Sequence, residues 1–248
     1  MAVSELIISI LLFSLIAFLY ASVGHGGASG YIAALSILSV SPGIIKPVAL
    51  ILNIVVSLIA FIKFYKTGTF NRKLFLMFII TAAPFAVIGG MIKLDSAYYK
   101  PLLGIVLLYA AIMFYFKREQ NSEYKIIELK KWVGGLWGAL LGFVSGLTGV
   151  GGGIFLSPLL IFNKWAEVKQ TAGISAAFIC VNSIAGMIGL ISVGNTSIFP
   201  KEVMYWLPSV IVFGWLGSNY GSKIINKSKM MLLLAIVMLI AALKLIFA

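Results

Sequence analysis

The polar positions of this chain divide it into ten apolar segments of unequal length. They cover residues 4–22, 30–40, 44–62, 74–92, 98–116, 132–147, 152–162, 171–192, 203–221 and 230–247. An α-helix rises about 1.5 Å per residue, so about 20 apolar residues are needed to cross the hydrocarbon core of a bilayer. Two segments, 30–40 and 152–162, are long enough for only about half that distance. The pattern therefore predicts an all-α polytopic membrane protein with two half-length helices.

The composition supports this prediction and excludes a basic nucleic-acid-binding domain. Hydrophobic residues make up 61% of the chain and charged residues only 10%, whereas about a quarter of the residues of a soluble domain are charged. The formal net charge is +12, but a groove for nucleic acid needs a polar surface to carry it. We therefore expect a multi-pass protein in the lipid bilayer, with its basic residues acting as topology signals.

The first apolar segment predicts a retained membrane helix and not a cleaved signal peptide. A signal peptide begins with a positively charged region, but the only charge in this segment is Glu5, and the first basic residue is Lys46. This distribution predicts an N-terminus that faces away from the cytoplasm.

Each short segment directly follows a glycine cluster, and the two clusters belong to a wider internal repeat. The clusters are "GHGGA" at residues 24–28 and "GVGGG" at residues 149–153. The matched residues are Gly24, Gly26 and Gly27 with Gly149, Gly151 and Gly152, then Leu35 with Leu160, Asn53 with Asn182, Thr67 with Thr196, Phe70 with Phe199 and Gly89 with Gly217. We predict a first membrane repeat over residues 1–117 and a second over 132–248. A basic cytoplasmic linker, residues 118–131, joins them into one membrane domain.

The basic residues predict how the two repeats are oriented. If each repeat holds a glycine-broken re-entrant or half-helix pair plus three transmembrane helices, 14 of the 19 basic residues lie in cytoplasmic loops. They are Lys63, Lys66, Arg72, Lys73, Lys117, Arg118, Lys125, Lys130, Lys131, Lys164, Lys169, Lys223, Lys227 and Lys229. If each glycine-broken pair instead crosses the membrane once, 11 basic residues lie on the cytoplasmic side and 8 on the outer side. The positive-inside rule thus favours two inverted repeats with both termini extracytoplasmic.

The glycine breaks point to an anion site. Irregular backbone persists at membrane depth only where protein, water or a ligand satisfies its polar groups. The helix that follows a break presents free N–H groups and a partial positive charge, which attract anions. Two such helix starts brought together by an inverted repeat resemble the substrate site of a secondary transporter. Close helix packing is the alternative role for any single glycine, but it does not account for the shortened helices.

Several polar residues near the breaks are candidate contacts for the anion. His25 is either a neutral cap that hydrogen-bonds the break or an anion contact and proton carrier, and Val150 occupies its matched position. Asn53 and Asn182 form either helix–helix hydrogen bonds or substrate contacts. The full candidate substrate-binding set is Gly24, His25, Gly26, Gly27, Ser29, Asn53, Thr148, Gly149, Gly151, Gly152, Gly153, Ser157 and Asn182.

The remaining chemistry of the sequence argues against a metal site, a cofactor and an enzyme. One cysteine and one histidine do not supply the ligands of a usual structural zinc site. Asp95, Glu167 and Glu202 fall at segment ends, so no carboxylate is expected at mid-membrane for cation transport or catalysis. No phosphate-binding loop for ATP occurs. Transport would therefore depend on an ion gradient, with the coupling ion open between a proton and sodium.

The second glycine cluster carries a family signature. The stretch "GLTGVGGGIFLSPLLIF", residues 146–162, resembles the G-x-G-G-G-x4-P-x-L pattern of the sulfite exporter TauE/SafE family, also called the toluene sulfonate uptake permease family. The first copy lacks the proline. The resemblance implies a transporter in the cytoplasmic (inner) membrane of a prokaryote that carries small sulfur-containing anions such as sulfite, sulfonates or sulfoacetate.

Together these observations predict a secondary transporter of small anions that works by alternating access. An anion channel could use the same helix starts, and a membrane assembly scaffold is a third alternative. The expected partners are a small-molecule anion, the lipid bilayer and the coupling ion, and a homo-oligomer stays open.

Overall fold

A computed structural model describes residues 3–38, 40, 42–92, 96–117, 126–194 and 201–247. Within these residues the chain forms ten α-helices and no strand: α1 (Val3–Ser22), α2 (Ala28–Ile37), α3 (Pro42–Tyr65), α4 (Arg72–Met91), α5 (Ser96–Lys117), α6 (Lys131–Thr148), α7 (Gly153–Phe162), α8 (Val168–Ser192), α9 (Val203–Lys223) and α10 (Lys227–Phe247). The predicted all-helical fold class is confirmed. The predicted matches at Thr196 and Phe199, the acidic Asp95, the basic Lys93 and residues 118–125 of the linker lie outside the described residues.

Among the described residues, four helices are long and apolar enough to cross a membrane by length and composition. They contain the stretches Ser4–Ser22, Gly43–Tyr65, Arg72–Met91 and Val168–Ser192. Large apolar side chains such as Leu11, Ile80 and Leu136 point outward, each more than 60% exposed. Such a surface is stable when lipid covers it. The fold is therefore that of a multi-pass membrane protein.

The helices pair reciprocally between the two halves of the chain. In this packing α1 lies along α9 and α4 lies along α6, while α3 meets α8 and α5 meets α10. If α1 to α5 of the first half correspond in order to α6 to α10 of the second, exchanging the halves turns the α1–α9 pair into the α6–α4 pair. The α3–α8 and α5–α10 pairs are unchanged by this exchange. An internal repeat would produce this pairing, and the inverted orientation of the halves in the membrane stays a prediction.

Glycines on α6 and α9 let these helix pairs approach closely. A Cβ atom at Gly142 would overlap the Ala82 backbone on α4, and one at Gly217 would overlap the Phe18 backbone on α1. Small residues at these positions bring two helix backbones together. At these two glycines the packing role therefore applies.

The two half-length helices fold back beside the helices that precede them. On the return leg α2, Ser29 lies 2.8 Å from the Tyr20 hydroxyl on α1, and the Tyr31 ring lies 5.4 Å from that of Phe13. In the second half of the chain, the backbone N–H of Ile127 donates to the carbonyl of Lys164 at 2.9 Å. Ile127 precedes α6 and Lys164 follows α7, so the start of α6 lies near the end of α7. Each glycine cluster is therefore the bend of a hairpin whose second leg is ten residues long.

Candidate functional site

The first break, residues 23–27, ends in a left-handed glycine that starts α2. Gly27 is the N-cap with φ 98°, a conformation that costs a residue with a Cβ atom about 1–2 kcal/mol. It turns the chain sharply enough to aim the first amides of α2 into the protein. One of them, Ala28 N, donates to Asn53 Oδ1 on α3 at 3.1 Å.

The second break, residues 149–152, repeats this construction at α7. Gly152 is the N-cap with φ 74°. Thr148 satisfies the polar groups at the end of α6, since its Oγ1 donates to the Val144 carbonyl at 2.8 Å and accepts from Val150 N at 3.3 Å. Thr148 therefore caps its own helix.

Asn53 connects the two breaks. Its side chain is fully buried, and besides accepting from Ala28 N, its Nδ2 donates to Ser183 Oγ at 2.8 Å and to the Val150 carbonyl at 3.5 Å. A Cβ atom at Gly26 would overlap this amide, and one at Gly151 would press on it from the other side. The glycines thus leave room for one amide that bonds to both breaks.

His25 links the first break to α7 and α8. Its Nδ1 lies 3.1 Å from the Val23 carbonyl, and its Nε2 lies 3.2 Å from Ser157 Oγ. Because a carbonyl only accepts, the tautomer that bonds to Val23 carries its proton on Nδ1 and accepts at Nε2 from Ser157. Ser157 Oγ in turn lies 2.8 Å from Ser175 Oγ. The imidazole is 1% exposed, so its hydrogen bonds are made inside the protein.

A small cavity lies where the two breaks meet. It is lined by Tyr20, residues 25–29, Val150, Ile154 and Ile179. The volume of this cavity is about 10 Å³, which is room for about one water molecule. An oxyanion has several heavy atoms and does not fit, so the described conformation is closed.

Polar groups without partners occur in both breaks and on α8. Within the described residues, the amides of Gly26, Gly27, Gly151 and Gly152 make no hydrogen bond. In the same part of the chain, both amide atoms of the fully buried Asn182 also have no partner. Leaving a buried polar group unpaired costs about 1–3 kcal/mol. Such groups mark places where a ligand or water would be stabilising.

The structure brings some, but not all, of the predicted site residues to the cavity. His25, Gly26, Gly27 and Ser29 line the cavity, and Ser157 bonds to the imidazole. Three others do not line it: Gly24 lies against the Ala172 backbone, Gly149 beside the Lys46 side chain, and Gly153 beside Ile179.

Several contributors were missed by the sequence analysis. Tyr20 bonds to Ser29 and lines the cavity, and Ser183 accepts from Asn53. Tyr20 lies three residues before the first break and Ser183 directly follows Asn182, so proximity in sequence was the available signal. Two lysines approach the breaks: Lys46 Nζ donates to the Leu147 carbonyl at 3.2 Å and Lys244 Nζ to the Ser29 carbonyl at 3.3 Å.

Comparisons with known proteins agree with the architecture. The family described as "Sulfite exporter TauE/SafE" matches residues 9–245. The probable membrane transporter protein y4hK of Sinorhizobium fredii is 36% identical over 95% of this chain and 96% of its own. The probable membrane transporter protein YjnA of Bacillus subtilis is 25% identical over 90% of this chain and 92% of its own. The probable membrane transporter protein MJ0441 of Methanocaldococcus jannaschii is 29% identical over 68% of this chain and 63% of its own. No solved structure matches significantly.

Proposed function

This chain belongs to the sulfite exporter TauE/SafE family of membrane transporters, and from that premise we propose that it is a secondary transporter of small anions. The substrate class we propose is sulfur-containing oxyanions or organosulfonates, which the name of the family suggests. We place the protein in the inner membrane of a prokaryote, with residues 1–117 and 132–248 as its two repeats and both termini outside the cytoplasm.

The observation that carries the proposal is the convergence of two helix starts on one buried cavity. Asn53 bonds to Ala28 N at the start of α2 and to the carbonyl of Val150 in the second break. Within the described residues the amides of Gly26 and Gly27 make no hydrogen bond, and both glycines line the cavity together with Val150 of the second break and Ile154 of α7. Convergent N–H groups at helix starts form a general anion-binding arrangement.

The donors near the cavity suit an oxyanion and not a cation. Hydroxyl groups of Tyr20 and Ser29 and the ring of His25 add to the backbone amides. The Lys244 ammonium group, which donates to the carbonyl of the cavity-lining Ser29, adds positive charge nearby. No carboxylate lines the cavity among the described residues. An anion that replaces water there would therefore meet hydrogen-bond donors of the protein that are already oriented.

Transport requires the two halves to separate, because the cavity is closed. Hydrogen bonds between the halves lie beside it, among them Asn53 to Ser183 and His25 to Ser157. We propose that these bonds break in turn as the site opens to one side of the membrane and then to the other. The substrate then takes over the donors that the closed state leaves unpaired.

Proton coupling through His25 is our hypothesis for the driving force. The neutral ring donates from Nδ1 and accepts at Nε2, whereas the protonated ring donates from both nitrogens. Protonation would thus turn an acceptor that faces Ser157 into a donor for an anion. Sodium is the alternative coupling ion.

A flux screen in proteoliposomes tests the proposal. The purified protein is reconstituted and uptake is measured for sulfite, sulfate, thiosulfate, short sulfonates and small carboxylates, with empty liposomes as the control. Saturable uptake of one sulfur anion, with counterflow of labelled substrate, is the expected result. Ionic conductance far above carrier turnover would instead indicate a channel, and no flux of any anion would leave the scaffold role.

A further inference from the structure

A positively charged groove opens between α4 and α6, away from the anion cavity. Lys73, in the first turn of α4, and Lys131, the first residue of α6, line a groove of about 390 Å³. Lys130 and the exposed Trp132 line the adjoining surface. Lysine and tryptophan at the end of membrane helices are typical of the level of lipid headgroups.

The rest of the groove is apolar and faces outward. Leu76 and Ile80 of α4 line it and are 40% and 67% exposed. On α6, a Cβ atom at Gly135 would meet only Thr81 Cγ2, at 3.7 Å, in ordinary contact. Gly134 and Gly138, by contrast, pack against α4. Gly135 therefore leaves an open slot that the packing of α4 on α6 does not require.

The charge at the mouth of the groove stays positive after its acidic neighbour is included. Glu128 pairs with Lys73 at 3.0 Å, and both side chains are largely exposed. Such a pair is weak, worth at most about 1 kcal/mol, and an anion could replace it. Glu128 is the single acidic residue among the described residues that line the groove and its adjoining surface.

We propose that this groove binds one anionic phospholipid. Its phosphate would lie between Lys73 and Lys131, and an acyl chain would follow Leu76, Ile80 and the open slot at Gly135. Basic pockets between membrane helices are suited to anionic headgroups, and the outward-facing apolar wall offers an acyl chain contacts that a soluble anion would not use. Because α4 and α6 belong to opposite halves, the bound lipid would stabilise their pairing.

Native mass spectrometry of the purified full-length protein tests this proposal without any transport assay. Phosphatidylglycerol is titrated against phosphatidylcholine, and the lipid-bound fraction is measured for the parent, Lys73→Gln, Lys131→Gln, Glu128→Gln and Gly135→Leu. The parent should prefer phosphatidylglycerol, and each lysine variant should bind it on the order of fivefold more weakly. Glu128→Gln should bind it more strongly, and Gly135→Leu should bind both lipids more weakly. The exposed Lys229→Gln, on α10, is the matched control and should not change binding.

Three results would overturn the proposal. They are equal binding of the two lipids by the parent, unchanged phosphatidylglycerol binding in both lysine variants, and displacement of the lipid by inorganic phosphate at equal concentration. If a lysine variant fails to fold, Glu128→Gln and Gly135→Leu still test the proposal. The first should strengthen phosphatidylglycerol binding and the second should weaken it.

Discussion

Asn53 Nδ2 and Ser183 Oγ are 2.8 Å apart and fully buried. Their hydrogen bond joins α3 of the first half to α8 of the second, at the level where both glycine breaks meet. The same amide also holds Ala28 N and the Val150 carbonyl. One side chain therefore supports both helix starts of the proposed anion site.

Replacing Asn53 with alanine should destabilise the protein and stop transport. The change leaves Ala28 N, Ser183 Oγ and the Val150 carbonyl without this partner, and each buried group left unpaired costs about 1–3 kcal/mol. We expect a lower unfolding temperature in detergent and no measurable anion flux.

Asn182→Ala is the matched control for Asn53→Ala, because its amide makes no hydrogen bond within the described residues. It should leave the unfolding temperature unchanged or raised while weakening substrate binding. A loss of stability as large as that of Asn53→Ala would contradict this division of roles.

Replacing Gly152 with alanine should abolish transport, and backbone strain alone should not account for the loss. Gly152 has φ +74°, and a Cβ atom there would press on Phe178 and Ser145 and turn the first amides of α7. Gly68 has the same φ, but a Cβ atom there meets nothing within 4 Å. Gly68→Ala should therefore carry a similar strain, about 1–2 kcal/mol, and keep its flux. Equal flux in the two variants would remove the second break from the site.

His25→Gln should uncouple transport from the proton gradient. Glutamine keeps a donor and an acceptor for Val23 and Ser157 but does not titrate near neutral pH. We expect substrate counterflow to persist and uptake driven by a pH gradient to disappear. Other groups near the ring are the Tyr20 phenol and, through the Ser29 carbonyl, the Lys244 ammonium. An unchanged pH dependence in His25→Gln would assign coupling elsewhere.

The N-terminus should be accessible from outside the cell and the loop after α3 from the cytoplasm. In a Cys180→Ala background, single cysteines at the exposed positions Ser4 and Lys66 can be treated with an impermeant maleimide on intact cells. Ser4→Cys should react, and Lys66→Cys should react only after lysis. The reverse pattern would contradict the predicted topology.

The half-length helices could be predicted from the sequence because their signals are local. A glycine cluster and a short apolar run lie together in the chain, and α2 and α7 were found within three residues of the predicted bounds. Asn53 and Asn182 were matched by the repeat, yet one is fully bonded and the other has no partner. That difference depends on how distant helices pack, which local pattern does not encode. The approach of Lys244 to Ser29 was missed for the same reason.

The contact between Lys244 and Ser29 also bears on the order of assembly. The two residues are 215 positions apart, so the hairpin of α1 and α2 enters the membrane long before α10 is synthesised. Until then the Ser29 carbonyl lacks its lysine, and the first break is held by contacts such as those of Asn53 and Ser157, which precede α10 in the chain. The proposed anion site would thus be completed late, and a ribosome stalled before α10 would leave in the bilayer an inserted but unfinished protein.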